Sequence, residues 1–294
     1  MRQRRRVKPV RPNDASLDML GKATARLWQA LGGRGEPCRR AWRGRGTDRA
    51  PLGVTWQGVP DGATSELQVC QLGLVDYREA VQLQQRLRAR RQAEEIGDVL
   101  LLLEHPPVYT RGRRSDPGEL AMGEAWYRSQ GIDVVETDRG GRVTYHGPGQ
   151  LVGYPILRVA DVIAHVRTLE AAIVAALAEA GVTGRARTED GADYTGVWVS
   201  ERKIASIGVH LARGVSTHGF AVNVENDLQP FEWVVPCGLE GVRMTSLIRE
   251  RGDVAPGALP AFAETMAACF ARALGRTPRT VALRMLDPAT VPSG

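Results

Sequence analysis

The order of strands and helices legible in the sequence agrees with an α/β fold of the α+β type, and three observations carry that order. Strand-length apolar runs recur at 67–74, 99–103, 132–136 and 150–157. Two segments, 77–87 and 162–177, carry apolar residues at helical spacing. The stretch 197–224 then reads as an antiparallel meander.

In the first run Cys70, Leu72 and Leu74 alternate with Gln71 and Gly73, as on a half-buried strand, so Cys70 is expected in the core. Tyr77, Ala80, Leu83 and Leu87 follow at helical spacing. Val99-Leu100-Leu101-Leu102-Leu103 has the length of a buried strand, and the prolines of Glu104-His105-Pro106-Pro107 stop its ladder. Ile132 to Glu136 gives another strand, and Gln150 to Leu157 a further one. Val162, Val166, Leu169, Ile173 and Leu177 make an amphipathic helix that should stop at Gly181, with His165 expected on its surface side.

Val197-Trp198-Val199 pairs across the turn Ser200-Glu201-Arg202 with Lys203 to Val209, and His218 to Val224 returns after a second turn near Arg213-Gly214. Strict alternation puts Lys203, Ala205, Ile207 and Val209 on one face of the middle strand, so a lysine heads an apolar stripe. A lysine there commonly snorkels at a strand end; a functional one needs a partner. A closing helix carries Leu259, Phe262, Met266 and Cys269.

Composition excludes several classes. With 294 residues and 43% hydrophobic content the chain can bury a sizeable core, and no apolar run approaches the roughly 18 residues of a membrane span. Cys38, Cys70, Cys237 and Cys269 form no zinc spacing or disulfide framework, which fits a reducing cytoplasm. Residues 1–66 hold 14 Lys/Arg against 6 Asp/Glu, while the rest hold 25 against 27, so the basicity belongs to the front end. That front reads as a basic, disordered extension with a short possible helix at 17–31. A start codon placed early, an organellar transit peptide and a basic arm compete to explain it.

The most conspicuous motif is Arg139-Gly140-Gly141-Arg142-Val143-Thr144-Tyr145-His146-Gly147-Pro148-Gly149-Gln150, continuing to Pro155. It brackets a short β-type run with turns where backbone approaches a ligand closely. It lacks a P-loop lysine and a dinucleotide fingerprint, so a phosphate loop is unsupported, and a binding wall competes with a glycine-rich hairpin serving only the fold. Cys237, held between Pro236 and Gly238, sits on a constrained turn suited to a nucleophile. A free thiol of pKa about 8.5 is only slightly ionised at neutral pH unless a nearby cation lowers it. The competing reading makes Cys237 a small buried hydrophobe.

Glu104 to Thr110, Arg139 to Pro155, Lys203 to Gly208, His218-Gly219-Phe220-Ala221, Pro236-Cys237-Gly238 and Thr245-Ser246-Leu247 together resemble the lipoyl(octanoyl) transferase family. Arg142 departs from the glutamine or lysine commoner there. The resemblance implies a mixed, largely antiparallel sheet with packed helices, like the biotin/lipoate protein ligase catalytic domain. It implies a catalytic domain over 67–275, followed by a tail at 276–294. It also implies octanoyl transfer from octanoyl-acyl carrier protein to a lysine of lipoyl domains, in 2-oxoacid dehydrogenase E2 subunits and the glycine cleavage H protein, with no ATP or metal cofactor.

On the same resemblance, Cys237 is the acyl-thioester nucleophile and Lys203 lowers its pKa. Arg139, Gly140, Gly141, Arg142, Val143, Thr144, Tyr145 and His146 would line the acyl pocket with Ser206, Ile207, Gly208, Gly219, Phe220 and Ala221. His146 either assists proton transfer or only binds, and Lys203 is either a neutral base or a cation in an ion pair. For Arg142 the alternative to lining the pocket is to face solvent or the acidic carrier protein. Membrane and nucleic acid are not expected partners. The alternatives are an ATP-dependent lipoate- or biotin-type ligase, which does not need Cys237, and a non-enzymatic basic module binding nucleic acid through residues 1–66.

Overall fold

The computed structural model describes residues 66–234, 242–252 and 257–290. Apart from Glu66, the extension expected over 1–66 lies outside the described residues, as does Cys237. The chain enters through β1 (Glu66–Leu74), α1 (Tyr77–Gln92) and β2 (Val99–Glu104). Asp76 starts α1 by accepting from the amides of Arg78 and Glu79 at 2.8 and 3.2 Å, which satisfies two donors that a helix leaves open. Past the two prolines come β3 (Val108–Arg111), α2 (Glu124–Ser129), β4 (Asp133–Glu136) and β5 (Thr144–His146). β6 (Gln150–Ile156) leads into α3 (Val162–Glu179), capped by Asp161. That helix ends at Gly181, φ +84°, where the Val182 amide returns to the Leu177 carbonyl at 2.8 Å.

The meander follows as β7 (Arg185–Ala186), β8 (Gly196–Val199), β9 (Arg202–Ala212) and β10 (Val215–Asn223). After it come α4 (Gln229–Glu232), β11 (Arg243–Met244), α5 (Leu247–Arg251), α6 (Ala258–Ala273), β12 (Thr277–Thr280) and α7 (Leu283–Leu286). One sheet has the order β12-β1-β2-β6-β10-β9-β8-β7 with β11 beside β9, and β4-β3-β5 form a second, small sheet. In the large sheet β1 is parallel to β12 and β2, and β11 to β9; its other pairings are antiparallel. The sheet is therefore mixed and largely antiparallel, as expected. No helix among the described residues is long and apolar enough to cross a membrane.

β2 shows how the layers are built. Leu100 and Leu102 pack with residues of α3 and α6 in one core, while Val99, Leu101 and Leu103 pack with α1 in another. Both faces are covered, so the strand reads as continuously apolar. β1 departs from the half-buried expectation for the same reason: Leu67 and Val69 enter the first core and Cys70 the second. Residues beyond 275, set apart as a tail, return to the sheet, with Val69 of β1 opposite Thr280 of β12.

His165 corrects the sequence reading. It is 6% exposed, whereas Val162 is 40% exposed. The buried face of α3 runs through His165, Leu169, Ile173 and Leu177, while Val162 and Val166 turn toward a cavity. Burial holds the His165 imidazole down to about 4, whereas in the unfolded chain it titrates near 6.5. Between those values the unfolded chain binds the extra proton, so stability falls as pH falls. His165→Leu is expected to flatten the dependence of the urea midpoint on pH between about 6.5 and 4; an undiminished slope would contradict this.

Candidate active site

The floor of the site is the β9–β10 hairpin. Its register sets Ser206 opposite Ala221, Ile207 opposite Phe220 and Gly208 opposite Gly219. The wall is the chain from Arg139 to His146, tied down where the Gly140 amide donates to the Val209 carbonyl at 3.0 Å. This approach requires glycine at 208, because a Cβ there would lie 2.7 Å from the Gly140 carbonyl oxygen. Between floor and wall opens a cavity of about 570 Å³, within the size range of small-molecule sites. Arg139 through His146, Lys203, Ser206 through Gly208 and Gly219 through Ala221 all line it. Cys237 lies outside the described residues, but Val234 and Val242, which flank its segment, line the same cavity.

Two arginines brace the wall. Arg139, 7% exposed, donates from Nε to Thr110 Oγ1 at 3.1 Å, from Nη2 to the Thr110 carbonyl at 2.6 Å and from Nη1 to the Gly140 carbonyl at 3.0 Å. Burial lowers its pKa. The Arg142 guanidinium lies 3.3 Å from Glu119, a carboxylate only 1% exposed that also accepts from the Val143 amide at 3.2 Å. Arg142 is thus tied to the protein itself, the option that the sequence reading did not weigh.

Histidines and tyrosines far apart in sequence gather at this wall. His146 donates from Nδ1 to Gln150 Oε1 at 2.7 Å, while Gln150 Nε2 donates to the Tyr145 carbonyl and Asn223. Burial, then His105, pushes the His146 imidazole well below its usual range, so it is neutral with Nε2 as acceptor. His105 bridges the Val75 carbonyl and the Tyr154 hydroxyl, each at 2.7 Å. Tyr77, Tyr154 and His218 also line the cavity. His218 holds φ +54° within β10, a conformation costly for a residue with a Cβ. Its amide is held by Gln84 at 2.7 Å and its Nε2 by Asp138 at 2.7 Å; that hydrogen bond keeps the Asp138 carboxyl down to about 2. Tyr77 was not singled out as a pocket residue from sequence, and Tyr154 and His218 fell in motif blocks without a pocket role of their own, since only the fold brings 77, 154 and 218 together.

Lys203 is the distinctive charge. Trp198 stands opposite it on β8 and Met244 on β11, with Nζ 5.4 Å from the Trp198 ring. Burial pulls the ammonium down to about 8, against the carboxylates of Glu170 and Asp193, which hold it up. The chain has three lysines, Lys8, Lys22 and Lys203, among 39 cationic residues. An ammonium can be brought near neutrality by burial and a guanidinium cannot, so a lysine in an otherwise arginine-using body was itself a signal. The expected alternation fails at this end of β9: the register with β8 shifts between Val197 and Trp198, and Ile204 and Ala205 are both fully buried.

The chain matches the family of lipoyl protein ligase A/B catalytic domains over residues 76–271. It is 49% identical over 188 residues to an octanoyltransferase of Rubrobacter xylanophilus, covering 63% of this chain and 83% of that protein. It is 44% identical over 226 residues to an octanoyltransferase of Chloroflexus aurantiacus, covering 74% of this chain and 99% of that protein. Its fold is similar to that of a lipoate-protein ligase A bound with ATP, with a TM-score of 0.63 at 17% identity over 76% of this chain and 92% of that one, a likeness that speaks for the fold alone. The chain belongs to the lipoyl protein ligase A/B catalytic-domain family and, with octanoyltransferases as its relatives, is an acyltransferase.

Proposed function

We propose that this chain transfers an octanoyl group from octanoyl-acyl carrier protein to a lysine of lipoyl domains, through a thioester on Cys237. The observation that carries the proposal is one cavity whose wall contains Lys203, with its ammonium pulled down to about 8, together with both described neighbours of the Cys237 segment, Val234 and Val242. A medium acyl chain needs a slot with few polar groups at the reacting end; Ile207, Val209, Phe220 and Ala221 supply apolar surface along the floor.

The Cys237 thiolate attacks the carbonyl carbon of the donor thioester. The carrier's thiolate leaves, takes a proton, and an octanoyl-enzyme remains. The neutral ε-amine of the acceptor lysine then attacks that thioester, its nitrogen gives up one proton to solvent, the Cys237 thiolate leaves, and an amide forms. Thioester to amide is downhill, so the reaction requires no ATP. Lys203 serves the first step by favouring the thiolate, and with a pKa of about 8 both its charged and its neutral form are accessible near neutrality. Arg139 and the neutral His146 stiffen the wall on which the chain lies. The acceptors are lipoyl domains of 2-oxoacid dehydrogenase E2 subunits and the glycine cleavage H protein.

Incubation with octanoyl-acyl carrier protein should add one octanoyl group to the intact mass, lost in Cys237→Ala; an adduct that survives this substitution would sink the thioester mechanism. Lys203→Ala should move the midpoint of Cys237 alkylation to higher pH and slow acylation sharply. An alkylation profile identical to that of the unsubstituted protein contradicts the role given to Lys203.

A further inference from the structure

Glu170 is a carboxylate without a part in the chemistry above, yet it lies behind the lysine. It sits on α3 at 1% exposure, a rare position for an acidic side chain. Oε1 accepts from the Gly196 amide at 3.0 Å, and Oε2 pairs with Arg167, whose side chain is 39% exposed. Gly196, at φ +132°, has no side chain where it meets the lysine: a Cβ there would lie 2.8 Å from Lys203 Cε and 2.3 Å from the Ala205 carbonyl oxygen. A contact path therefore runs from the helix through the first residue of β8 to the lysine stem in the cavity wall.

Among the described residues, the carboxylates that act on Lys203 are Glu170 and Asp193. Asp193 approaches from the turn before β8 and is engaged by Arg114 at 3.1 Å. Arg167 is paired with Glu170. Lys203 makes no direct ion pair among the described residues, so Glu170 acts across the Gly196 backbone. Its position suits a buried counter-charge that favours the ammonium without capturing it, since a direct ion pair would engage the group that the thiol needs.

We propose that Glu170 is a positioning residue for Lys203: its carboxylate fixes the Gly196 backbone against the lysine stem and supplies the buried negative charge that keeps the ε-ammonium in the cavity wall. The inference rests on the reading of Lys203 as the residue that tunes Cys237.

The test reads the lysine directly. Reductive methylation with a carbon-13 label gives at most three lysine signals, and Lys203→Arg assigns the relevant one. Glu170→Gln keeps an acceptor for the Gly196 amide but removes the charge, and should lower the Lys203 titration midpoint by roughly one pH unit. Arg167→Gln, at a half-exposed position, frees Glu170 from its cation and should raise the midpoint. A midpoint unmoved in a cooperatively folding Glu170→Gln, or in Arg167→Gln should the first variant not fold, overturns the proposal. If both midpoints move as stated while Cys237 alkylation does not follow them, Glu170 still controls Lys203, and it is the functional reading of Lys203 that fails.

Discussion

The hydrogen bond from the Gly140 amide to the Val209 carbonyl, 3.0 Å long, is the tie on which the site depends. It clamps a glycine-rich loop of the small sheet's flank onto the edge of the β9–β10 hairpin, and the cavity is the space that this clamp encloses. The missing side chain at Gly208 makes the approach possible, since a Cβ would meet the Gly140 carbonyl at 2.7 Å. Arg139 then fixes the loop from behind through Thr110. Shape is thus set by backbone contacts and a buried guanidinium, and the surfaces left free for a ligand are mainly apolar.

The electrostatics follow from that enclosure. Taking a cation out of water destabilises its charged form, and two residues answer this differently. Arg139 stays charged and surrounds itself with carbonyl and hydroxyl oxygens of Thr110 and Gly140. Lys203 instead comes down to about 8, moderated by carboxylates that stand off from it. The first arrangement gives rigidity; the second gives a group whose charge can change during a reaction.

Much of this was legible in the sequence where local chemistry decides structure. The meander could be read because its turn falls on Arg213 and Gly214, both at positive φ, and the apolar run 99–103 because a strand covered on both faces needs no polar side. The blocks at 139–146, 206–208 and 219–221 were each visible; the register of β9 with β10 explains why the last two meet, and the Gly140–Val209 hydrogen bond why the first joins them. Less legible was whatever depends on distant packing. The face of α3 was misjudged at His165 because Val162 and Val166, which complete the apolar stripe on paper, border the cavity instead of the core. The burial of Glu170 against the amide of Gly196 depends on a contact between α3 and β8 that no local pattern marks. The register shift beside Ile204 and the convergence of Tyr77, His105 and Tyr154 leave no periodic trace.

The most direct measurement of the central claim is mass spectrometry of a lipoyl domain incubated with this protein and octanoyl-acyl carrier protein, in the absence of ATP and with a metal chelator present. The account predicts that the domain gains a single octanoyl group in amide linkage on its acceptor lysine. A domain that stays unmodified until free octanoate and ATP are added would contradict it and identify a ligase.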